Sequence, residues 1–188
     1  QISSSGITNG STKTNMPLSI ILQSVSINLP RLAFESNKDE TYFRARLALL
    51  MKPALSSMAL RKKDISDVTR RGLNPILAKN TQYMQKSSVS LVVNLVGLKE
   101  AVFNILGFKD NKAGREILHK VIQTAVDVGA KKGKELGDSV AICMTETESS
   151  TRFATLDGEK YGKNSSLNSM EGDSYSEGVV INASEVSD

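Results

Sequence analysis

The segment Thr145-Glu146-Thr147-Glu148-Ser149-Ser150 places four hydroxyls and two carboxylates in six consecutive residues. It lies between an apolar run and a stretch of helical periodicity, so it reads as a joint from strand to helix. The first N–H groups of a helix have no acceptor within the helix and carry partial positive charge. With the hydroxyls of Thr145, Thr147, Ser149 and Ser150 beside them, such N–H groups can hold phosphate. The same residue types also make a plain cap, with Thr145 or Thr147 at the cap position and an acid in the first turn. A carboxylate such as Glu146 beside phosphate is repulsive unless a cation intervenes.

Asn28 is the second candidate. It closes the apolar run Leu18 to Ile27 and precedes Leu29-Pro30. Its amide can cap the helix that Pro30 opens, or hydrogen-bond a ligand at the end of the strand, and both roles can hold together. Asn182, near the end of a late strand, is a weaker candidate of the same kind. Gly97 and Glu100 either shape the rim of a site or serve as a turn glycine and a solvated helix acid, and the second reading is favoured. His119 stands beside an apolar helical stripe and reads as a partly exposed helix residue. Lys131-Lys132-Gly133-Lys134 reads as a solvated helix end. Cys143 falls inside a predicted strand and reads as a buried structural thiol.

The elements that must position these residues alternate. Gln1 to Asn15, rich in Ser, Thr, Gly and Asn, is expected to be a flexible loop, with a single domain over 16–188. A strand at Leu18–Ile27 leads into a short helix from Leu29 to about Glu35. Phe43, Leu47, Leu50, Ala54 and Met58 recur at helical spacing within Asp39 to Lys63. Pro53 inside that pattern predicts a kink or the start of a second helix. Asp64 to Asn80, with Gly72 and Pro75, reads as a connector containing a helical turn. Val89–Val96 is apolar on both faces apart from Ser90 and Asn94, as in a strand covered on both sides. A helix over Leu98–Leu106 is expected to stop at Gly107. Lys112–Leu136 is the clearest helix, with Ile117, Val121, Ala125 and Val128 in one stripe. A turn at Gly137-Asp138, a strand at Ser139–Met144, a helix at Glu148–Tyr161, a polar loop at Gly162–Glu177 and a fourth strand at Gly178–Ala183 complete the chain. The crossovers are long enough for parallel strands, which makes the fold class α/β. Four strands with no evident closing partner point to part of a larger barrel or sheet.

The 188 residues suffice for one core and at most two small domains. With 39% hydrophobic and 23% charged residues the chain is ordinary for a globular protein. Trp is absent, so Leu, Ile, Val, Ala and Met must build the core. The net charge of +4 is a mild excess, 24 basic residues against 20 acids. It suits an anionic small molecule and, with few aromatics, does not call for nucleic acid. One cysteine excludes an intrachain disulfide and a cysteine-rich zinc site within the chain. The run Val89 to Leu98 is too short to span a membrane. No signal peptide is evident, so the expected location is cytoplasmic. An opening Gln1 instead of Met hints at a fragment.

Four segments resemble one family. Val25-Ser26-Ile27-Asn28-Leu29-Pro30-Arg31-Leu32-Ala33 is similar to the strand-to-helix element of anaerobic ribonucleoside-triphosphate reductases of the glycyl-radical class. Val96-Gly97-Leu98-Lys99-Glu100-Ala101-Val102 resembles the next such turn. Thr145-Glu146-Thr147-Glu148, followed by Arg152-Phe153-Ala154-Thr155-Leu156-Asp157, resembles the loop and helix after it. Gly178-Val179-Val180-Ile181-Asn182-Ala183-Ser184 resembles, more loosely, a later strand. Order and spacing agree from roughly Asn15 to Asp188.

The resemblance implies a partial α/β barrel, about half of a ten-stranded one with two loops meeting at its centre. It implies a parent enzyme that converts ribonucleoside triphosphates to 2′-deoxyribonucleoside triphosphates. In the family a glycyl radical, installed by an S-adenosylmethionine iron-sulfur activase, oxidises a cysteine to a thiyl. The thiyl takes the 3′ hydrogen of the ribose, the 2′ hydroxyl leaves as water, and formate or a thiol system supplies electrons. By this resemblance Asn28 could bond a ribose hydroxyl or order the thiyl loop. Thr145, Thr147, Glu148, Ser149 and Ser150 face the substrate triphosphate, and Asn182 is a further contact.

The sequence also departs from the family. No cysteine precedes Asn28, where the family keeps its thiyl residue. The radical glycine, the four-cysteine structural zinc site and the regulatory ATP-binding domain lie outside the matched stretch. Glu146 stands where the family usually has proline, and the stretch before Arg152 is one residue short. The chain alone is therefore expected to be inactive, with no catalytic residue and no metal ligand of its own. The alternative is a catalytically silent relative that binds nucleotide or a partner subunit. Expected partners are a ribonucleoside triphosphate and, for the intact protein, the radical-activating enzyme. Neither membrane nor nucleic acid is expected. Unpaired strand edges invite association, a homodimer included.

Overall fold

The structure, a computed structural model, describes residues 20–75, 89–106, 111–145, 147–162 and 172–178. The predicted N-terminal loop, Gly107, Glu146, Asn182 and the body of the fourth predicted strand lie outside the described residues. Strand β1 (Ile20–Asn28) runs into α1 (Leu29–Glu35), followed by α2 (Glu40–Arg70). Strand β2 (Val89–Val96) runs into α3 (Leu98–Leu106), then α4 (Asn111–Leu136). Strand β3 (Ser139–Cys143) is followed by α5 (Ser149–Tyr161).

The three strands form one parallel sheet in the order β1-β2-β3. Asn28 lies opposite Val96, and Asn94 lies opposite Cys143. Parallel strands in this register bring all three carboxyl ends to one edge. The central strand is buried from Ser90 to Val96, as its two-sided apolar pattern predicts. Leu91, Val93 and Leu95 join a core with Phe43, Leu47, Met51 and Leu55 of α2 and Ile117, Val121 and Ala125 of α4. Burying one such side chain contributes roughly 1.5–3 kcal/mol.

Helix α2 corrects two expectations. It continues unbroken through Pro53 to Arg70, so no second helix starts at Pro53 and no connector starts at Asp64. A proline removes the hydrogen bond to the carbonyl of residue 49. Leu49 is 63% exposed and Pro53 is exposed too, so water can reach that carbonyl. The buried face is Phe43, Leu47, Met51, Leu55 and Met58, whereas Leu50 is 46% exposed. The helix ends where its sequence first supplies a glycine. Gly72 (φ +73°) donates to Thr69 and Leu73 donates to Val68, a pair of bonds that satisfies the last carbonyls. Lys62, on the buried side of α2, pairs with Asp138 at 2.7 Å and ties the helix to the α4–β3 turn.

Gly97 makes the turn from β2 into α3 with φ +75°. A Cβ there would lie 2.3 Å from Cγ of Pro30, so the two strand-to-helix joints touch at a point where only glycine fits. The Gly97→Ala variant is expected to lose about 2–4 kcal/mol through left-handed strain and that collision. Urea unfolding should show a lower midpoint with an unchanged slope, and an unchanged midpoint would mean that the joints do not touch.

Candidate functional site

Asn28 is the N-cap of α1. Its side-chain oxygen accepts the backbone N–H of Arg31 at 3.0 Å. Its amide nitrogen donates to Oδ2 of Asp157 at 2.8 Å. The capping role is therefore realised, and one amide hydrogen remains beyond these two bonds.

Asp157, on α5, is fully buried. Besides Asn28 it accepts from Nε of Arg31 at 2.6 Å and from the Tyr175 hydroxyl at 2.8 Å, and it pairs with the Arg31 guanidinium through Nη2. The C-terminal end of α5 is fixed to α1 as well. Tyr161 donates to Glu35 at 2.7 Å and its ring lies 4.9 Å from that of Phe34.

The residues 172–178 form a strap across this region. Ser176 donates its backbone N–H to Oε1 of Glu100 at 2.9 Å and its hydroxyl to Oε2, and its carbonyl accepts from Gly97 at 3.0 Å. Glu100 is 1% exposed, so the expected solvated helix acid is instead a buried anchor for the strap. Burial, and then the hydrogen bond to Asp157, push the Tyr175 phenol far above its usual value near 10.

Beyond β3, the loop toward α5 is held from beneath by Asn94, itself 2% exposed. Its Oδ1 accepts the Thr145 backbone N–H at 2.9 Å, and its Nδ2 reaches the Thr145 carbonyl at 3.2 Å and the Thr147 hydroxyl at 3.4 Å. The Thr147 backbone N–H donates to Oε1 of Glu177 at 2.9 Å. The predicted hydroxyl cap is absent. Glu148 is the N-cap of α5 and makes no side-chain bond to it, while Thr147 spends its hydroxyl on Asn94. Ser150 is buried, with its hydroxyl turned back to the Thr147 carbonyl at 3.2 Å. Thr145 and Glu148 are exposed and Ser149 is half-buried.

Cys143 also differs from expectation. It is only half-buried, as no residue of β3 is buried, and its Sγ lies 3.5 Å from Oδ1 of Asn94 and 3.8 Å from Oγ1 of Thr145. His119 is exposed on α4. Among the described residues no three His, Cys, Asp or Glu side chains converge to hold a metal ion. No helix among them is long and apolar enough to cross a membrane.

Asn28 and the Thr145–Ser150 loop thus share one edge of the sheet, with Asn94, Asp157 and Tyr175 holding them there. Sequence reasoning missed these three. Asn94 left a trace, because an amide inside a two-sided apolar strand must find partners. Tyr175 left a fainter one as an aromatic in a polar loop. Asp157 left none.

A parallel α/β sheet with polar groups gathered outside its carboxyl ends is the architecture of enzymes that bind ligands at that edge. The comparisons specify which. The sequence pattern of the family described as anaerobic ribonucleoside-triphosphate reductase matches residues 7–186, and the chain belongs to that family. Among solved structures, the anaerobic ribonucleotide reductase of Thermotoga maritima with citrate in the active site is 21% identical, with a TM-score of 0.66 over 74% of this chain and 27% of that one. The same enzyme with dATP in the specificity site gives 20%, 0.66, 74% and 25%. Its complex with dATP and CTP gives 20%, 0.66, 74% and 24%. The chain therefore spans about a quarter of the length of these structures, and at this identity the likeness shows the fold alone. A search of curated proteins gives no match.

Removing the Asp157 carboxylate strands a partly buried guanidinium, an amide and a phenol. Asp157→Ala is expected to cost about 3–5 kcal/mol, read as a lower urea midpoint. A loss below 1 kcal/mol would show that the cluster is not a structural anchor. Tyr175 adds a pH signature. Its folded pKa is raised, so its contribution is fully present below pH 10. Above pH 10 the unfolded phenol ionises and the folded one does not, and stability should fall by up to about 1.4 kcal/mol per pH unit. Tyr175→Phe should flatten that decline in thermal melts between pH 9 and 11.

Proposed function

We propose that this chain forms one wall of the substrate pocket of an anaerobic ribonucleotide reductase that converts ribonucleoside triphosphates to 2′-deoxyribonucleoside triphosphates. The single observation that carries the reading is the shared edge: Asn28 and the Thr145–Ser150 loop follow the carboxyl ends of β1 and β3, the two strands that flank β2 in one parallel sheet, in a chain of this family. The second amide hydrogen of Asn28, beyond the one donated to Asp157, would meet a ribose hydroxyl. The loop, prebuilt on Asn94, would meet the phosphates with backbone N–H groups and exposed hydroxyls. Thr145, Thr147, Glu148 and Ser149 line that side, Ser150 braces it from within, and Asn182 is a further contact in the same reading. Relatives with nucleotides bound, dATP and CTP in the Thermotoga enzyme, support a nucleotide ligand.

In this reading the three strands are part of the larger barrel, and the radical chemistry comes from groups outside the chain. A glycyl radical installed by the activating enzyme, a thiyl cysteine and a structural zinc belong to the rest of the enzyme, which works in the cytoplasm. Cys143 stays a spectator, because the resemblance places the reacting sulfur before Asn28. Among the described residues no strand pairs with the outer edges of β1 and β3, and in this reading the remaining strands, or a second copy in a homodimer, close them.

Two measurements test this. Calorimetry with CTP should show weak binding that falls severalfold in Thr147→Ala and Ser149→Ala, and equal affinity in both variants would remove the loop from the site. Supplied with the activating enzyme, formate and CTP, the chain alone should form no dCTP. Turnover would overturn the assignment of the radical groups to other parts of the enzyme.

A further inference from the structure

We infer that Glu177 is an internal anion that occupies the Thr147 N–H and lowers the affinity of the Thr145–Ser150 loop for phosphate, an inference that rests on the phosphate-binding reading above. Four observations carry it. The Thr147 N–H, one of the groups a phosphate would need, already donates to a carboxylate at 2.9 Å. That carboxylate belongs to a different part of the chain, 30 residues away. Its neighbours are buried and bonded in place: Tyr175 and Ser176 are 2% and 4% exposed and hydrogen-bond to Asp157, Glu100 and Gly97. Glu177 itself is only half-buried, and among the described residues it forms no ion pair.

These facts separate the anchor from the moving part. Displacing the strap would break the bonds of Tyr175 and Ser176. Displacing the Glu177 side chain breaks one hydrogen bond, and its rotatable bonds allow the carboxylate to swing toward water. Thr145 and Thr147 have a second support, because Asn94 holds both from the other side. An entering phosphate therefore finds a formed loop whose N–H must be exchanged from one anion to another. It meets like-charge repulsion while the carboxylate stays near. The exchange is a filter against singly charged anions, since only a polyanion gains enough from the remaining donors to displace the carboxylate.

The test uses the full chain and inorganic tripolyphosphate, with binding followed at the backbone amides of 145–150 by NMR. Glu177→Gln keeps the shape and the hydrogen bond and removes the charge, while Glu177→Ala removes both. Both variants should bind tripolyphosphate about five- to thirtyfold more tightly than the wild type, with the largest shift at Thr147. The advantage should shrink as salt rises. Thermal melts establish that both variants are folded, and Glu177→Gln carries the decision if Glu177→Ala is not. Shifts at Thr147 with equal or weaker affinity in Glu177→Gln would overturn the inference and leave the phosphate-binding reading standing. No shift at these amides in any form would overturn both.

Discussion

A carboxylate with no exposed surface cannot persist in a folded chain unless charge and hydrogen bonds surround it, and Asp157 is such a group. Asp157 lies on α5, and its partners come from two other places in the chain: Asn28 and Arg31 at the β1–α1 joint, and Tyr175 on the strap. Satisfying one charge therefore fixes three elements together at one end of the sheet. The apolar core sets how the helices pack on the strands, but apolar contacts are non-directional. The orientation of Asn28, and the path of the strap over Gly97, follow from the directional demands of this carboxylate.

Much of the architecture was legible because it depends on local signals. The bounds of α1 and α3 follow from Pro30, Gly97 and short apolar periods, and the burial of β2 follows from its continuous apolar run. The misreadings share a cause, since each depended on tertiary surroundings that the local sequence does not show. Glu100 looks like a solvated acid until Ser176, 76 residues later, places its N–H and hydroxyl on it. Cys143 looks buried until β3 proves to be last in the sheet order, with none of its residues buried. Pro53 looks like a break, but the exposure of Leu49 decides otherwise, and exposure is a tertiary property. The cap expected at Thr147 gave way because Asn94 binds its hydroxyl from a neighbouring strand. The family was readable because four segments match in order. The supports of the site were not, since nothing in the local sequence around Asp157 announces that it will be enclosed.

The distribution of charge at this edge constrains what the wall can do. Among the described residues named at this edge, Asp157, Glu100, Glu177 and Glu148 bring four carboxylates, beside the guanidinium of Arg31. Two of the acids are spent on structure, and Arg31 is committed to Asp157. Little positive charge from these residues is left to attract a polyanion by Coulomb force. What the edge offers is direction: backbone N–H groups, hydroxyls, and the amide of Asn28. Neutral donors of this kind select by geometry, and they keep their value as salt screens charge. Such a wall discriminates among ligands that are drawn in by charge elsewhere. The positions of its donors matter more than their number, and those positions are set by the fully enclosed Asp157 and the nearly enclosed Asn94.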